Sequence, residues 1–145
     1  MLEKMQDMVR SQTFCVLATA SGGQPHCSLM SYALDDDCRE IYLVTFKNTK
    51  KYRNMSENPA VSLLIDTRGD DRGGMHRQAQ ALTVNGVFDE VKDRTKRDLI
   101  KVRLLARHPH LHVLADDPDA AFFAVRIKSL QMLTGVEEAS YATLD

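Results

Sequence analysis

Apolar and polar positions change period several times along this chain, and each change marks an element. Leu2, Met5 and Val9 recur at helical spacing with Glu3, Lys4, Gln6 and Asp7 between them, which predicts a short amphipathic helix. Residues 13–19 (TFCVLAT) are apolar and β-branched and run into Ser21-Gly22-Gly23, a strand closed by a turn. Pro25 opens a second strand reaching about Leu34, Asp35-Asp36-Asp37 turns the chain, and residues 40–46 (EIYLVTF) form a third. Joins this short do not allow β-α-β crossovers, so the three strands are antiparallel neighbours.

Asn48 is placed to cap a helix that reaches about Glu57 and stops before Asn58-Pro59. Residues 60–66 (AVSLLID) read as a fourth strand, and residues 67–77 (TRGDDRGGMHR), with no apolar period, as a loop. Residues 79–91 (AQALTVNGVFDEV) are a long fifth strand whose internal Gly86 marks a bulge or a barrel corner. A third helix begins at Asp93, carries Leu99, Val102, Leu105 and Ala106 near one face, and ends about Arg107. Residues 120–133 are a sixth strand and residues 134–145 a polar tail. Six antiparallel strands with three peripheral helices place the chain in the mainly β class. A closed or nearly closed barrel is the economical arrangement, because it leaves few free edges.

The 145 residues amount to one domain. With 43% apolar and 27% charged residues, wholesale disorder is excluded. No apolar run approaches the roughly 18–20 residues of a membrane helix, and the charged N-terminus has no secretory h-region. A formal net charge of −1 gives no whole-chain field for nucleic acid or an anionic membrane. Cys15, Cys27 and Cys38 form no C-x-x-C pair and read as reduced thiols of a cytoplasmic chain, with Cys27 packed in its strand and no metal site.

The chemistry concentrates in Val44-Thr45-Phe46-Lys47-Asn48-Thr49-Lys50-Lys51-Tyr52, where a strand ends and a helix begins. Lys50 and Lys51 fall in the first helical turn, where the helix dipole is already positive and acidic residues are the stabilising choice. Two lysines, free peptide N–H groups and the Thr49 hydroxyl make a phosphate site. The alternative is that both lysines point into water at a cost of a few tenths of a kcal/mol.

Other features read more plainly. His108, His110 and His112 (HPHLH) lie at a helix end broken by Pro109 and read as a surface loop, with His108 favoured at the C-terminal dipole. Ligation of a metal or haem is the alternative for them. Lys92, Arg94, Lys96, Arg97, Lys101, Arg103 and Arg107 read as a solvated helix face pairing with the acidic clusters 35–37, 116–119 and 137–138, with a nucleic-acid face as the alternative. Ser28 and Ser31 lie in no nucleophile elbow, and neither a P-loop nor a G-x-G-x-x-G is present.

Taken together, four stretches resemble the pyridoxamine-phosphate-oxidase-related family of FMN-binding split barrels. They are the hairpin TFCVLATASGGQPHCSLMSYALDDD, the strand–helix–strand EIYLVTFKNTKKYRNMSENPAVSLLID, the glycine-interrupted strand AQALTVNGVFDEV and the closing RHPHLHVLADDPDAAFFAVRI. The likeness spans about residues 1–133. It implies a six-stranded antiparallel split barrel, a homodimer with FMN in the groove between the two chains, and flavin-dependent oxidoreduction of a small molecule.

By the same resemblance, Thr49, Lys50 and Lys51 hold the phosphate. Val44 and Thr45 lie by the ribityl chain and ring, Ser28, Met30 and Tyr32 face the isoalloxazine, and Gln80 touches the flavin. Where the vitamin-B6 oxidases have a basic residue at the start of the second-strand stretch, this chain has Cys27. Residues 134–145 also lack the tryptophan and arginines of those enzymes' C-terminal extension. Oxidation of pyridoxamine phosphate itself is therefore not expected. A module that holds flavin without turnover, and a haem-binding relative, are the other readings of the same frame.

Overall fold

The structure is a computed structural model and describes residues 1–70, 79–135 and 138–144. The elements follow in the order α1 (Leu2–Ser11), β1 (Phe14–Ser21), β2 (Gln24–Ser31), β3 (Ala33–Leu34), β4 (Glu40–Phe46), α2 (Lys50–Glu57), β5 (Ala60–Asp66), β6 (Gln80–Glu90), α3 (Arg94–Arg107), α4 (His112–Asp116), β7 (Ala120–Thr134) and β8 (Glu138–Thr143). Short 3₁₀ turns occupy Arg68–Asp70 and Pro109–Leu111. The loop expected over residues 67–77 thus begins as a 3₁₀ turn, and positions 71–78 lie outside the described residues. Among the described residues no helix is long and apolar enough to cross a membrane.

All strand pairs are antiparallel, in the order β2-β1-β5-β6-β7-β4-β3, with β8 alongside β7. β2 and β3 are the two ends of that path, yet only Tyr32 separates them in the chain. One residue spans only about 3.3–3.6 Å, so the sheet has to curl until its ends nearly meet. The result is a mainly β split barrel with peripheral helices. Its interior is filled by alternate residues of each strand, among them Leu17, Leu43, Leu63, Leu82 and Phe123, and α1 adds Met5 and Val9. A second apolar layer lies outside the wall, where Tyr42, Val44 and Phe122 meet Ile100 and Leu104 of α3 and Ala115 of α4. β4 is buried on both faces for this reason.

The bulge expected at Gly86 is present as a register shift between Asn85 and Gly86 against β7. A Cβ there would stand 2.6 Å from both the Arg126 carbonyl oxygen and Val125 Cγ1, so only glycine lets the two strands approach.

Three expectations are corrected. The stretch read only as a polar tail contains β8, whose alternating EASYAT segment pairs with the edge of β7 opposite β6 from Ser129 to Thr134. The cap of α2 is Thr49, not Asn48: Thr49 has extended φ and ψ of −108° and 155°, and its Oγ1 accepts from the Tyr52 N–H. The strand expected to run unbroken from Pro25 to Leu34 is split at Tyr32 between opposite sheet edges.

Candidate functional site

The slot left where the barrel edges approach is a groove of about 250 Å³. Leu29, Met30 and Ser31 of β2 form one wall, and Val44, Thr45 and Phe46 of β4 the other. Lys51 enters from the first turn of α2, and Leu111 and Leu114 close the remaining side. Met30, Val44 and Thr45 are buried, whereas Leu29 is 75% exposed at the rim.

α2 is fixed against the barrel by polar contacts. Asn54, itself buried, donates from Nδ2 to the buried Thr19 Oγ1 at 3.1 Å, and Asn58 Nδ2 donates to the Ala20 carbonyl at 3.0 Å. Thr49 Oγ1 donates to the Phe46 carbonyl at 2.8 Å and lies 3.5 Å from Thr45 Oγ1. The Thr49 hydroxyl proton is therefore spent on the turn, and its contribution is to place the two lysines that follow.

No acidic residue stands in the first turn of α2. Among the described residues neither Lys50 nor Lys51 has an ion-pair or hydrogen-bond partner for its ammonium. Lys50 is exposed and Lys51 half-buried, and burial holds the Lys51 ammonium below its ordinary pKa. A charge partly removed from water without a counter-ion is costly. An anion at the mouth of the groove removes that cost, and the open N–H groups of the first helical turn add to its binding.

The groove brings together Met30, Val44, Thr45 and Lys51 of the residues singled out by sequence. Thr49 and Lys50 adjoin it through the turn and the helix start. Ser28 lies two positions before Met30, on the same face of β2. Tyr32 and Gln80 are outside it. Tyr32 is fully buried, its hydroxyl donating to the Val9 carbonyl at 2.6 Å and its own N–H to the Thr13 carbonyl at 3.1 Å. Gln80 opens β6 opposite Thr134, with its peptide group bonded to Thr67.

Leu29, Ser31, Phe46, Leu111 and Leu114 were not singled out by sequence reasoning. An apolar residue at an outward position of β2 was the available signal for Leu29, and an i, i+3 leucine pair was the signal for the side that Leu111 and Leu114 close.

Two further readings change. Cys27, expected to be packed, is exposed, whereas Cys15 is buried and its thiol is pushed up to about 12. The HPHLH run is not a plain surface loop. His108 is buried, with Nε2 3.0 Å from the Tyr32 carbonyl oxygen and its ring edge-on to Phe14 and His110, while His110 and His112 are not buried. Burial, chiefly, holds the His108 pKa below its ordinary value. The basic face of α3 does pair with acidic clusters, through Lys101 with Asp116 and Arg103 with Asp36.

The family model for pyridoxamine 5'-phosphate oxidase matches residues 1–134. The chain belongs to that family. A Schizosaccharomyces pombe protein named as a pyridoxamine 5'-phosphate oxidase homolog is 42% identical over 65 residues, covering 38% of this chain and 33% of the relative. Among solved structures, a haem-binding protein from Mycobacterium smegmatis superposes with a TM-score of 0.84 at 18% identity, over 97% of this chain and 57% of that one. An FAD-binding protein from Mesorhizobium loti gives a TM-score of 0.73 at 20% identity, over 91% and 93%. At these identities the two structures speak for the shared fold. The chain spans about a third of the yeast relative and just over half of the mycobacterial one. Of these two fold neighbours, one is described as haem-binding and the other as FAD-binding.

Proposed function

We propose that the groove between β2, β4 and α2 binds FMN and that the chain is a flavin-dependent oxidoreductase acting on a small molecule. The observation that carries this reading is Lys51, a half-buried ammonium with no anion of its own among the described residues, at the mouth of a groove that is otherwise uncharged. Such a groove suits a molecule with an anionic end and a flat apolar body. Lys51, Lys50 and the first N–H groups of α2 hold the phosphate. Met30, Val44 and Leu29 offer apolar surface to the ring system, and Thr45 lies between. Bound flavin supplies hydride acceptance and donation, and the protein supplies position and electrostatics.

The exposed Leu29 stands beside Val16, which pairs in turn with Leu64 across β2, β1 and β5. Phe14, 52% exposed, extends the same apolar area. A second copy of the chain covers this surface in the proposed assembly and closes the groove, giving a homodimer.

Among the described residues that line the groove, Lys51 alone has an ionisable side chain, and it is assigned to the phosphate; no carboxylate or imidazole lines the groove beside it. That favours, as a second reading, a module that holds flavin without catalysis. For haem, the one buried histidine of the HPHLH run already has its Nε2 against a backbone carbonyl.

The test is the absorption spectrum of freshly purified protein, followed by FMN titration with flavin fluorescence as the readout. Saturable quenching supports the site. Steady reduction of bound flavin by a nicotinamide cofactor, with product formed, selects the enzyme over the holding module. A colourless protein that leaves FMN fluorescence unchanged overturns both.

A further inference from the structure

On the far side of the β4–α2 turn, α3 carries charge that the groove does not use. Three of its cations are matched: Lys96 with Glu40 at 3.1 Å, Arg103 with Asp36 at 2.7 Å, and Lys101 with Asp116. Arg97 on the same helix is not. Among the described residues it has no carboxylate partner, and its guanidinium lies 5.2 Å over the ring of the buried Phe122. Lys47 from the β4–α2 turn and Lys92 from the segment before α3 are likewise without ion pairs among the described residues.

These three unmatched cations line one pocket of about 180 Å³, together with Pro118, Phe122 and Glu90. Glu90 is the single carboxylate among the described residues that line it, and its Oε1 accepts from the Tyr52 hydroxyl at 2.6 Å. One engaged carboxylate leaves an excess of positive charge at a concave site. Concave sites lined by one sign of charge concentrate the opposite one. Stacking on Phe122 limits the positions open to the Arg97 guanidinium and presents its donors as a fixed fork, the geometry that phosphate oxygens accept. The two lysines add mobile point charges.

We propose that this pocket binds a compact phosphate-type dianion, either free phosphate or the phosphate group of a small monoester, on Lys47, Lys92 and Arg97. It is separate from the groove that holds Lys51, and it does not depend on the flavin reading. Lys47 joins the two sites in the chain, since it precedes the Asn48–Thr49 turn that positions Lys50 and Lys51.

The experiment is a backbone ¹H–¹⁵N titration at constant ionic strength, with inorganic phosphate and glycerol 3-phosphate as probes. Both are expected to shift the Lys47, Lys92, Arg97 and Phe122 amides saturably, and tighter binding of the ester identifies a monoester site. Lys92→Ala combined with Arg97→Ala weakens binding about tenfold or more. These side chains are exposed, so the variant folds, and Lys47→Ala provides an independent second variant. Lys50→Glu combined with Lys51→Glu leaves the shifts in place. Shifts that do not saturate, that survive all three pocket substitutions, or that vanish in the Lys50/Lys51 variant overturn the proposal.

Discussion

His108 Nε2 sits 3.0 Å from the carbonyl oxygen of Tyr32, the residue that carries the chain from one edge of the barrel to the other. The contact ties the end of α3 to the seam beside the groove, and the segment after His108 supplies the groove residues Leu111 and Leu114. Burial lowers the His108 pKa below its ordinary value, against the hydrogen bonds to the Tyr32 and Thr13 carbonyls, while Arg107 and His110 lower it further. A histidine whose folded pKa is depressed takes up its proton more readily in the unfolded chain. Stability is therefore complete above the unfolded value and declines as pH falls below it toward the folded one. Thermal unfolding is expected to show a decline in Tm as the pH falls below about 6.5, the ordinary histidine value, that His108→Gln flattens.

Asn54→Ala leaves the buried Thr19 hydroxyl without its partner and loosens α2 from β1. The expected cost is about 1–3 kcal/mol, read from chemical denaturation. Because α2 carries Lys50 and Lys51, FMN affinity falls with it.

Gly86→Ala forces a methyl against the Arg126 carbonyl and Val125 at the β6–β7 bulge. Backbone cannot swing aside as a long side chain can, so a loss of roughly 1–3 kcal/mol is expected, measured by urea unfolding.

Leu29→Glu places a charge in the centre of the exposed apolar area shared with Val16 and Leu64. Light scattering after size exclusion is expected to give a dimer for the native chain and a monomer for this variant, with far-UV circular dichroism unchanged.

The strands and helices were largely legible because their periods are local: EIYLVTF and AVSLLID announce themselves without knowledge of their neighbours. Gly86 was legible as a bulge because a glycine inside a strand has few other uses. β8 was not, since EASYAT is a strand only by virtue of the β7 edge, left open beyond β4, that it meets. His108 looked like His110 and His112 because nothing local shows that Phe14 and Tyr32 enclose it. In the site, the lysine pair stood out by its wrong sign at a helix start. Which of the two faces the groove depends on how α2 docks through Asn54, a tertiary contact. Tyr32 adjoins the β2 residues that line the groove, but its side chain turns into the core toward Val9.

The most direct test of the central claim is FMN titration of the native chain beside Lys50→Glu combined with Lys51→Glu, with flavin fluorescence quenching as the readout. Both side chains lie at the start of α2 and lack partners among the described residues, so the variant keeps its fold, checked by circular dichroism. The account predicts saturable quenching by the native chain and its loss, by about a hundredfold or more in affinity, in the charge-reversed one. Equal FMN affinity in the two proteins would contradict it.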